Sequence, residues 1–225
     1  VKRSHGSNFW RDLMEGYSYA FRFMPIRAIL LQLALISFLG MPYAVLMPVY
    51  ARDILHGGPH TLGFLMAFAG IGALAGAVFL ASRKSILGLD RLIAVATCIF
   101  GTAMILFSLS KIPLVSYLML CFVGFGLITQ MAASNTILQS IVEEDKRGRI
   151  MSLFAVSGIG MMPFGSLYSG MLAGQMGAPL TLIISGTTCI VGALLFASSL
   201  PRFRADIRPI YLEKGIISES ITRAK

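Results

Sequence analysis

The sequence predicts an all-α integral membrane protein with six transmembrane helices. Of its 225 residues, 56% are hydrophobic and only 13% are charged, and the mean hydropathy is +0.78. A soluble domain of this size needs more charged residues to cover its surface, so lipid must cover much of this one. The net charge of +9 would suggest nucleic acid binding in a soluble protein. Here we expect no nucleic acid partner, because the charges flank apolar runs.

Six apolar runs account for most of the chain, at about residues 28–51, 61–82, 92–110, 112–138, 150–174 and 178–200. At 1.5 Å per residue, each run is long enough to cross about 30 Å of hydrocarbon as a helix. Strands of a membrane barrel would be shorter and would alternate in polarity. We therefore expect a six-helix domain over 28–200, a connector over 1–27 and a basic tail over 201–225.

Within the connector, Phe9, Leu13, Tyr17 and Phe21 recur every fourth residue, and polar residues lie between them. This spacing predicts an amphipathic helix on the membrane surface. A soluble linker helix packed on protein is the alternative.

The basic residues predict the orientation of the helices. With six spans, 17 of the 19 Lys and Arg residues lie on one side of the membrane, and only Arg52 and Lys111 lie on the other. Short cytoplasmic loops carry the excess of basic residues in membrane proteins. We therefore expect both termini in the cytoplasm, which in a bacterium places the protein in the inner membrane.

Uncharged polar residues concentrate in the first and fourth spans. At 100° per residue, Gln32, Tyr43 and Tyr50 of the first span fall on one helix face within about 20°. Polar side chains at membrane depth face protein or a water-filled cavity. The candidates for a substrate pathway are Gln32, Tyr43, Tyr50, Tyr117, Gln130, Ser134 and Asn135. Ordinary hydrogen bonding between helices is the alternative role for each of them.

The second and fifth spans are rich in glycine. An offset of 88 residues aligns 65–72 with 153–160, which suggests an inverted repeat of three plus three helices. Glycine permits close helix approach, and proline bends a helix, as we also expect at Pro42 and Pro48 of the first span. The candidate packing and bending residues are Gly72, Gly76, Gly158, Gly160, Pro163, Gly165, Gly170 and Gly174. Packing alone, without a repeat, would also explain these glycines.

The apolar runs contain no residue suited to catalysis or metal binding. No Asp, Glu, Lys, Arg or His lies inside a run, and the three cysteines and three histidines show no metal-ligand spacing. Ser166 follows Gly165 but has no membrane histidine to act as its base. We therefore expect no enzyme activity, cofactor or metal, and a hydrophobic or amphipathic cargo rather than a small ion.

Several motifs resemble one transporter family. They are Phe9-Trp10-Arg11-Asp12-Leu13, Pro25-Ile26-Arg27-Ala28, Gly40-Met41-Pro42-Tyr43, Met47-Pro48-Val49-Tyr50-Ala51-Arg52-Asp53 and Arg147-Gly148-Arg149-Ile150-Met151-Ser152-Leu153, followed by Gly160, Pro163, Gly165 and Gly170. Over about residues 9–200 the chain resembles the C-terminal half of a major facilitator superfamily transporter, helices seven to twelve of twelve. It is similar to the bacterial branch with enterobactin-exporter-like permeases.

The resemblance implies transport by alternating access, in which two six-helix halves rock about a central substrate cavity. In this family, helices seven and ten line the cavity, and helices eight and eleven contact the other half. It implies efflux of a small amphipathic molecule, such as a drug or a siderophore. Because the chain starts at Val1 rather than Met, we expect that an N-terminal six-helix half is missing. The alternative is a self-contained six-helix protein that acts as an oligomeric channel or a non-transporting assembly partner.

The family's signature cytoplasmic loop is only partly matched by 83–91, which keeps its basic residues and an Asp-Arg pair. Asp90 is placed to cap the third span. The candidates for a cytoplasmic gate in this loop and in the loop after the fourth span are Arg83, Lys84, Asp90, Arg91, Glu143, Asp145, Arg147 and Arg149. Solvated turns that obey the positive-inside rule are the alternative.

Overall fold

The computed structural model describes residues 19–83 and 85–216. It contains six helices that are long and apolar enough to cross a membrane: α1 (Met24–Ile54), α2 (Pro59–Ala81), α3 (Leu89–Leu109), α4 (Pro113–Ile141), α5 (Glu144–Met176) and α6 (Ala178–Glu213). The described residues form no strand. The prediction of an all-α membrane protein with six spans is confirmed. Most of the predicted amphipathic connector helix lies outside the described residues.

Proline and glycine set the helix starts. Pro59, Pro113 and Pro179 lie in the first turns of α2, α4 and α6, where a backbone N–H has no acceptor within the helix. Gly88 before α3 and Gly177 before α6 have φ angles of +82° and +84°. Residues with a side chain rarely adopt such backbone angles. The turns are therefore tight, and neighbouring helices run in opposite directions. We call the end of the bundle where α2, α4 and α6 finish the basic end.

Helices α1 and α5 are irregular. In α1, a π-helical turn at Ile36–Gly40 interrupts the α-helix, which resumes at Tyr43–Val49 and passes into a second π turn at Tyr50–Ile54. In α5, a π turn covers Val156–Gly160. These turns lie next to the prolines of the two helices, where a missing N–H disturbs the regular hydrogen bonding. The π turns therefore lie where the sequence predicted bending.

The pairing of the helices has the symmetry of the proposed repeat. Helix α2 packs on α4 as α5 packs on α1, and α3 packs on α4 as α6 packs on α1, while α3 and α6 pack on each other. This is the pattern that three helices followed by an inverted copy would give. The aligned segments differ in backbone, however: 65–72 is regular α-helix, and 153–160 contains a π turn.

Glycines allow backbones to touch at two helix crossings. A Cβ atom on Gly72 would lie 1.8 Å from the carbonyl oxygen of Cys121, so α2 and α4 are in backbone contact there. Gly124 on α4 meets the α2 backbone in the same way. A Cβ on Gly165 would lie 2.0 Å from the carbonyl oxygen of Phe38, which joins α5 to α1. No other residue type fits these positions without moving a helix.

The remaining predicted glycines differ in how closely neighbouring atoms approach them. Gly76 also lies against the α4 backbone, where an added Cβ would come within 2.8 Å of a carbonyl oxygen. Gly158 has room for ordinary contacts, and Gly160 faces only its own helix. Gly170 and Gly174 have no atom within 4 Å of an added Cβ among the described residues. Pro163 is exposed.

Helix α6 extends beyond the predicted end of the last span. The sequence predicted a tail from residue 201, but α6 continues to Glu213. Phe203, Ile207 and Tyr211 on this extension are buried in the hydrophobic core at the basic end. A helix of 36 residues is about 54 Å long, so its last turns lie outside about 30 Å of hydrocarbon.

We expect Gly72→Ala to destabilise the bundle, because the new methyl group must push α2 away from α4. Overpacking of this kind costs about 1–3 kcal/mol. Thermal unfolding of the purified protein in detergent measures the loss. Gly63→Ala is the matched control on the same helix, since nothing lies within 4 Å of its added Cβ. Equal melting temperatures for the two variants would contradict the proposed backbone contact.

Candidate functional site

A cleft of about 320 Å³ lies between α1, α2 and α4. It is lined by Tyr43, Ala44 and Met47 of α1, Leu65, Met66, Ala69, Gly70 and Ala73 of α2, and Gly124, Leu127 and Ile128 of α4. Tyr43 supplies the single hydroxyl group of this lining, and none of the lining residues is charged. The cleft therefore suits an apolar or amphipathic molecule that can use one hydrogen bond.

Polar residues of α4 lie above and below the cleft on the same helix face. Tyr117 and Asn135 are 11 and 7 residues from Ile128, which brings all three within about 20° of one another at 100° per residue. The Tyr117 ring stacks on Phe68 of α2 with centroids 5.3 Å apart. At the other end, Gln139 Nε2 donates a hydrogen bond to Asn135 Oδ1 at 3.1 Å. This α4 stripe thus places an aromatic group and an amide pair on either side of the cleft along α4, outside its lining.

Tyr43 reaches the cleft because of the irregular backbone of α1. It begins the helical segment that follows the first π turn and Pro42. Its ring lies edge-on to Phe100 of α3, with centroids 6.5 Å apart. The core therefore supports one edge of the ring, and the side chain remains half-buried.

The other four predicted pathway residues are buried inside the six-helix bundle and do not line the cleft: Gln32, Tyr50, Gln130 and Ser134. The hydroxyl of Tyr50 donates to the Ser108 carbonyl at 3.2 Å, and Gln130 Nε2 donates to Ser134 Oγ at 3.2 Å. The first π turn, at Ile36–Gly40, lies between Gln32 and Tyr43, so the constant rotation of 100° per residue assumed for the first span does not hold between these two residues. Within the described residues, Gln32 Nε2 and Gln130 Oε1 have no hydrogen-bond partner.

An ion pair joins α3 and α6 at the basic end. Arg204 Nε donates to Asp90 Oδ2. Asp90 is buried, with 7% of its surface exposed, whereas the Arg204 side chain is 41% exposed. The expected capping role of Asp90 was wrong: Gly88 is the N-cap of α3, and no side chain caps it. The sequence did not single out Arg204. Nothing in the sequence shows that the helix α6 continues past residue 200 and packs against the start of α3.

The turn between α4 and α5 holds further polar contacts. Lys146 Nζ lies 2.7 Å from Glu143 Oε2 and 4.6 Å from the centroid of the Tyr19 ring. Burial, together with the nearby Glu143 carboxylate, raises the pKa of the Tyr19 hydroxyl. Lys214 Nζ donates to the Ser140 carbonyl at 2.8 Å, which satisfies an acceptor in the last turn of α4.

The remaining gate candidates are dispersed. Arg83 Nη2 donates to a carbonyl of its own loop at 3.2 Å, and Arg91 is exposed on α3. Lys84 lies outside the described residues. Asp145 is exposed at the start of α5. Arg149 is half-buried and contacts neighbouring groups.

Arg147 is also half-buried, and its Nε atom is buried with no hydrogen-bond partner in the part of the chain that the structure describes. A role for the gate candidates as one gate stays a prediction.

A comparison with protein families matches residues 3–222 to the transmembrane secretion effector family of the major facilitator superfamily. The chain belongs to this family. A comparison with curated proteins found no match. The family and the six spans indicate an integral membrane protein of the transporter type. The predicted likeness to the enterobactin-exporter-like branch stays a prediction.

For the secretion effector, we expect Arg204→Ala to lower the melting temperature more than Asp90→Ala. Removing Arg204 leaves a buried carboxylate unpaired, whereas removing Asp90 leaves a cation that water already reaches. We expect losses of about 3 and about 1 kcal/mol, respectively. Asp53→Ala is the control, because its pair with Arg52 spans 3.6 Å between exposed side chains. A larger loss from Asp53→Ala than from Arg204→Ala would contradict this account.

Proposed function

We propose that this secretion effector exports a small amphipathic molecule, such as a drug or a siderophore, by secondary active transport. The observation that carries the proposal is the uncharged cleft between α1, α2 and α4, with Tyr43 as its hydroxyl group, in a chain of a transporter family. Its volume falls within the range of about 300–1,000 Å³ typical of small-molecule pockets. An ion without a hydrophobic part would find no charged partner among the lining residues.

The cargo would lie against the apolar side chains of α2 and make its polar contacts on two other helices. Tyr43 on α1 offers a hydroxyl, and the α4 stripe offers the Tyr117 ring and the Asn135–Gln139 amide pair. A small number of polar groups at defined positions can orient the cargo without binding it tightly. Weak binding is useful here, because a transporter must also release its cargo.

We further propose that a second six-helix unit covers the exposed faces of α2 and α5, the least buried of the six helices. Gly70, Gly170 and Gly174 have open space in front of them, and large apolar side chains such as Leu74 and Phe164 are exposed beside them. Small residues of this kind allow close helix packing in membranes. The second unit would supply the group that couples export to an ion gradient.

Alternating access would then use the bent helices. The π turns of α1 and α5 contact each other, and α5 touches the α1 backbone at Gly165. A π turn can return to regular helix by a local change of hydrogen bonding, so these two helices can bend without leaving the bundle. The basic end would face the cytoplasm of a bacterium, because all Lys and Arg residues that the structure describes, except Arg52 and Lys111, lie there.

Replacement of Tyr43, or of the polar groups that flank the cleft on α4, should weaken export. We expect Tyr43→Leu, Tyr117→Leu and Asn135→Leu each to raise the cargo concentration for half-maximal export about fivefold, the effect of one lost contact of about 1 kcal/mol. Efflux from bacterial cells that express the protein, measured with a panel of siderophores and hydrophobic antibiotics, gives this value.

Leu118→Ala is the matched control on α4, because Leu118 is 47% exposed and lies outside the cleft. Equal effects of Leu118→Ala and the three cleft variants would reject the cleft as the binding surface. Absence of efflux for every compound, together with a stable homo-oligomer of the purified protein, would favour the channel or assembly role instead.

A further inference from the structure

A second cavity, of about 520 Å³, lies between α3, α4 and α6 and shares no residue with the cleft. Its walls are almost entirely apolar and include Val95, Cys98, Ile99, Leu106, Phe122 and Ala197. Val95 and Leu106 are each about half exposed, at 53% and 48%, so the cavity is an open groove on the outer surface of the bundle. At this depth the surrounding medium is hydrocarbon.

The groove has the length of one leaflet. Its lining on α3 runs from Ala94 to Leu106. Twelve steps of 1.5 Å give about 18 Å along the helix, close to half of the roughly 30 Å hydrocarbon thickness. The lining is centred near the middle of α3, and its end at Ala94 lies about one turn from the start of α3 at the basic end, so an acyl chain can enter from that side. A single extended acyl chain fits this depth.

A basic residue, Arg91, lies at the end of the groove where the headgroup of such a lipid would be. Arg91 is exposed on α3, 4, 7 and 11 residues before Val95, Cys98 and Thr102 of the lining. At 100° per residue these four positions fall within about 60°, so Arg91 lies on the groove side of α3. It therefore stands one turn above the groove, at the level of the membrane surface.

The end of α6 adds to this charge. Arg204 and Arg208 follow Ala197 by 7 and 11 residues and share its helix face, whereas Asp206 falls on the opposite face. The pair with the buried Asp90 offsets the charge of Arg204, so Arg91 and Arg208 are the cations that act near the mouth of the groove. The mouth is therefore cationic, while the groove walls are apolar.

We propose that this groove is a binding site for an anionic phospholipid of the leaflet at the basic end. One acyl chain lies between α3, α4 and α6, and the headgroup phosphate pairs with Arg91. Apolar walls favour an acyl chain of any lipid, and the cation selects the anionic headgroup. The proposal stands independently of the export function, because it rests on the opposite side of α4 and on other residues.

Native mass spectrometry of the full protein in detergent tests the site. Dioleoyl phosphatidylglycerol and dioleoyl phosphatidylcholine are titrated separately, and the apparent Kd of the first bound lipid is compared. Arg91→Gln removes the cation, and Val95→Trp fills the groove. Their matched controls are Arg83→Gln, also at an exposed cation, and Val191→Trp, at a valine of α6 that is 49% exposed and lies outside the groove.

We expect Arg91→Gln to weaken phosphatidylglycerol about fivefold, the effect of one surface cation, and to leave phosphatidylcholine unchanged. Val95→Trp should weaken both lipids at least fivefold, and both controls should match the unmodified protein. If Val95→Trp fails to fold, Thr102→Phe blocks the groove further along α3.

Three results would overturn the proposal. The first is equal loss from Arg91→Gln and Arg83→Gln, which would indicate general attraction to the basic end. The second is unchanged affinity after the groove is filled. The third is unchanged lipid affinity with impaired export after Val95→Trp, which would make the groove a path for cargo.

Discussion

Backbone contact between α2 and α4 is the constraint on which the rest of the bundle depends. In hydrocarbon, apolar side chains gain nothing by leaving lipid for one another, so close packing must hold the helices together. Gly72 and Gly124 bring the two backbones into contact from opposite sides of the crossing. This crossing fixes the distance between the two helices, and therefore the width of the cleft that Ala69 and Leu127 line.

The rigid and the bent helices have different roles. Helices α3 and α4 are continuous and pack closely on each other, so they form a frame for the others. Helices α1 and α5 are interrupted by π turns and touch at Gly165. Tyr43, which lines the cleft, lies just after one of these turns. Motion of the bent helices would thus change the cleft, while the outer groove against α3 would keep its shape.

Polar groups in this protein stabilise the ends of the helices more than their middles. The Asp90–Arg204 pair and the Lys214 contact with the end of α4 both lie at the basic end. There, the α6 extension supplies both cations. Water and headgroups are within reach at that level, so charged side chains cost little and can still pair. The same excess of cations produces the charge difference between the two ends of the bundle.

The sequence by itself determined the number of spans, because a helix that crosses the hydrocarbon core of a bilayer needs about 20 consecutive apolar residues. It also determined where α1 and α5 bend, since proline lacks a backbone N–H wherever it is placed. Only the tertiary structure decided which polar residues reach a cleft. Tyr43, Tyr117 and Asn135 do so or lie beside it, whereas Gln32, Tyr50, Gln130 and Ser134 are buried. The reason is physical: the neighbouring helices decide which faces of a helix are covered, and the partner of a polar side chain, such as Arg204 for Asp90, can lie 114 residues away.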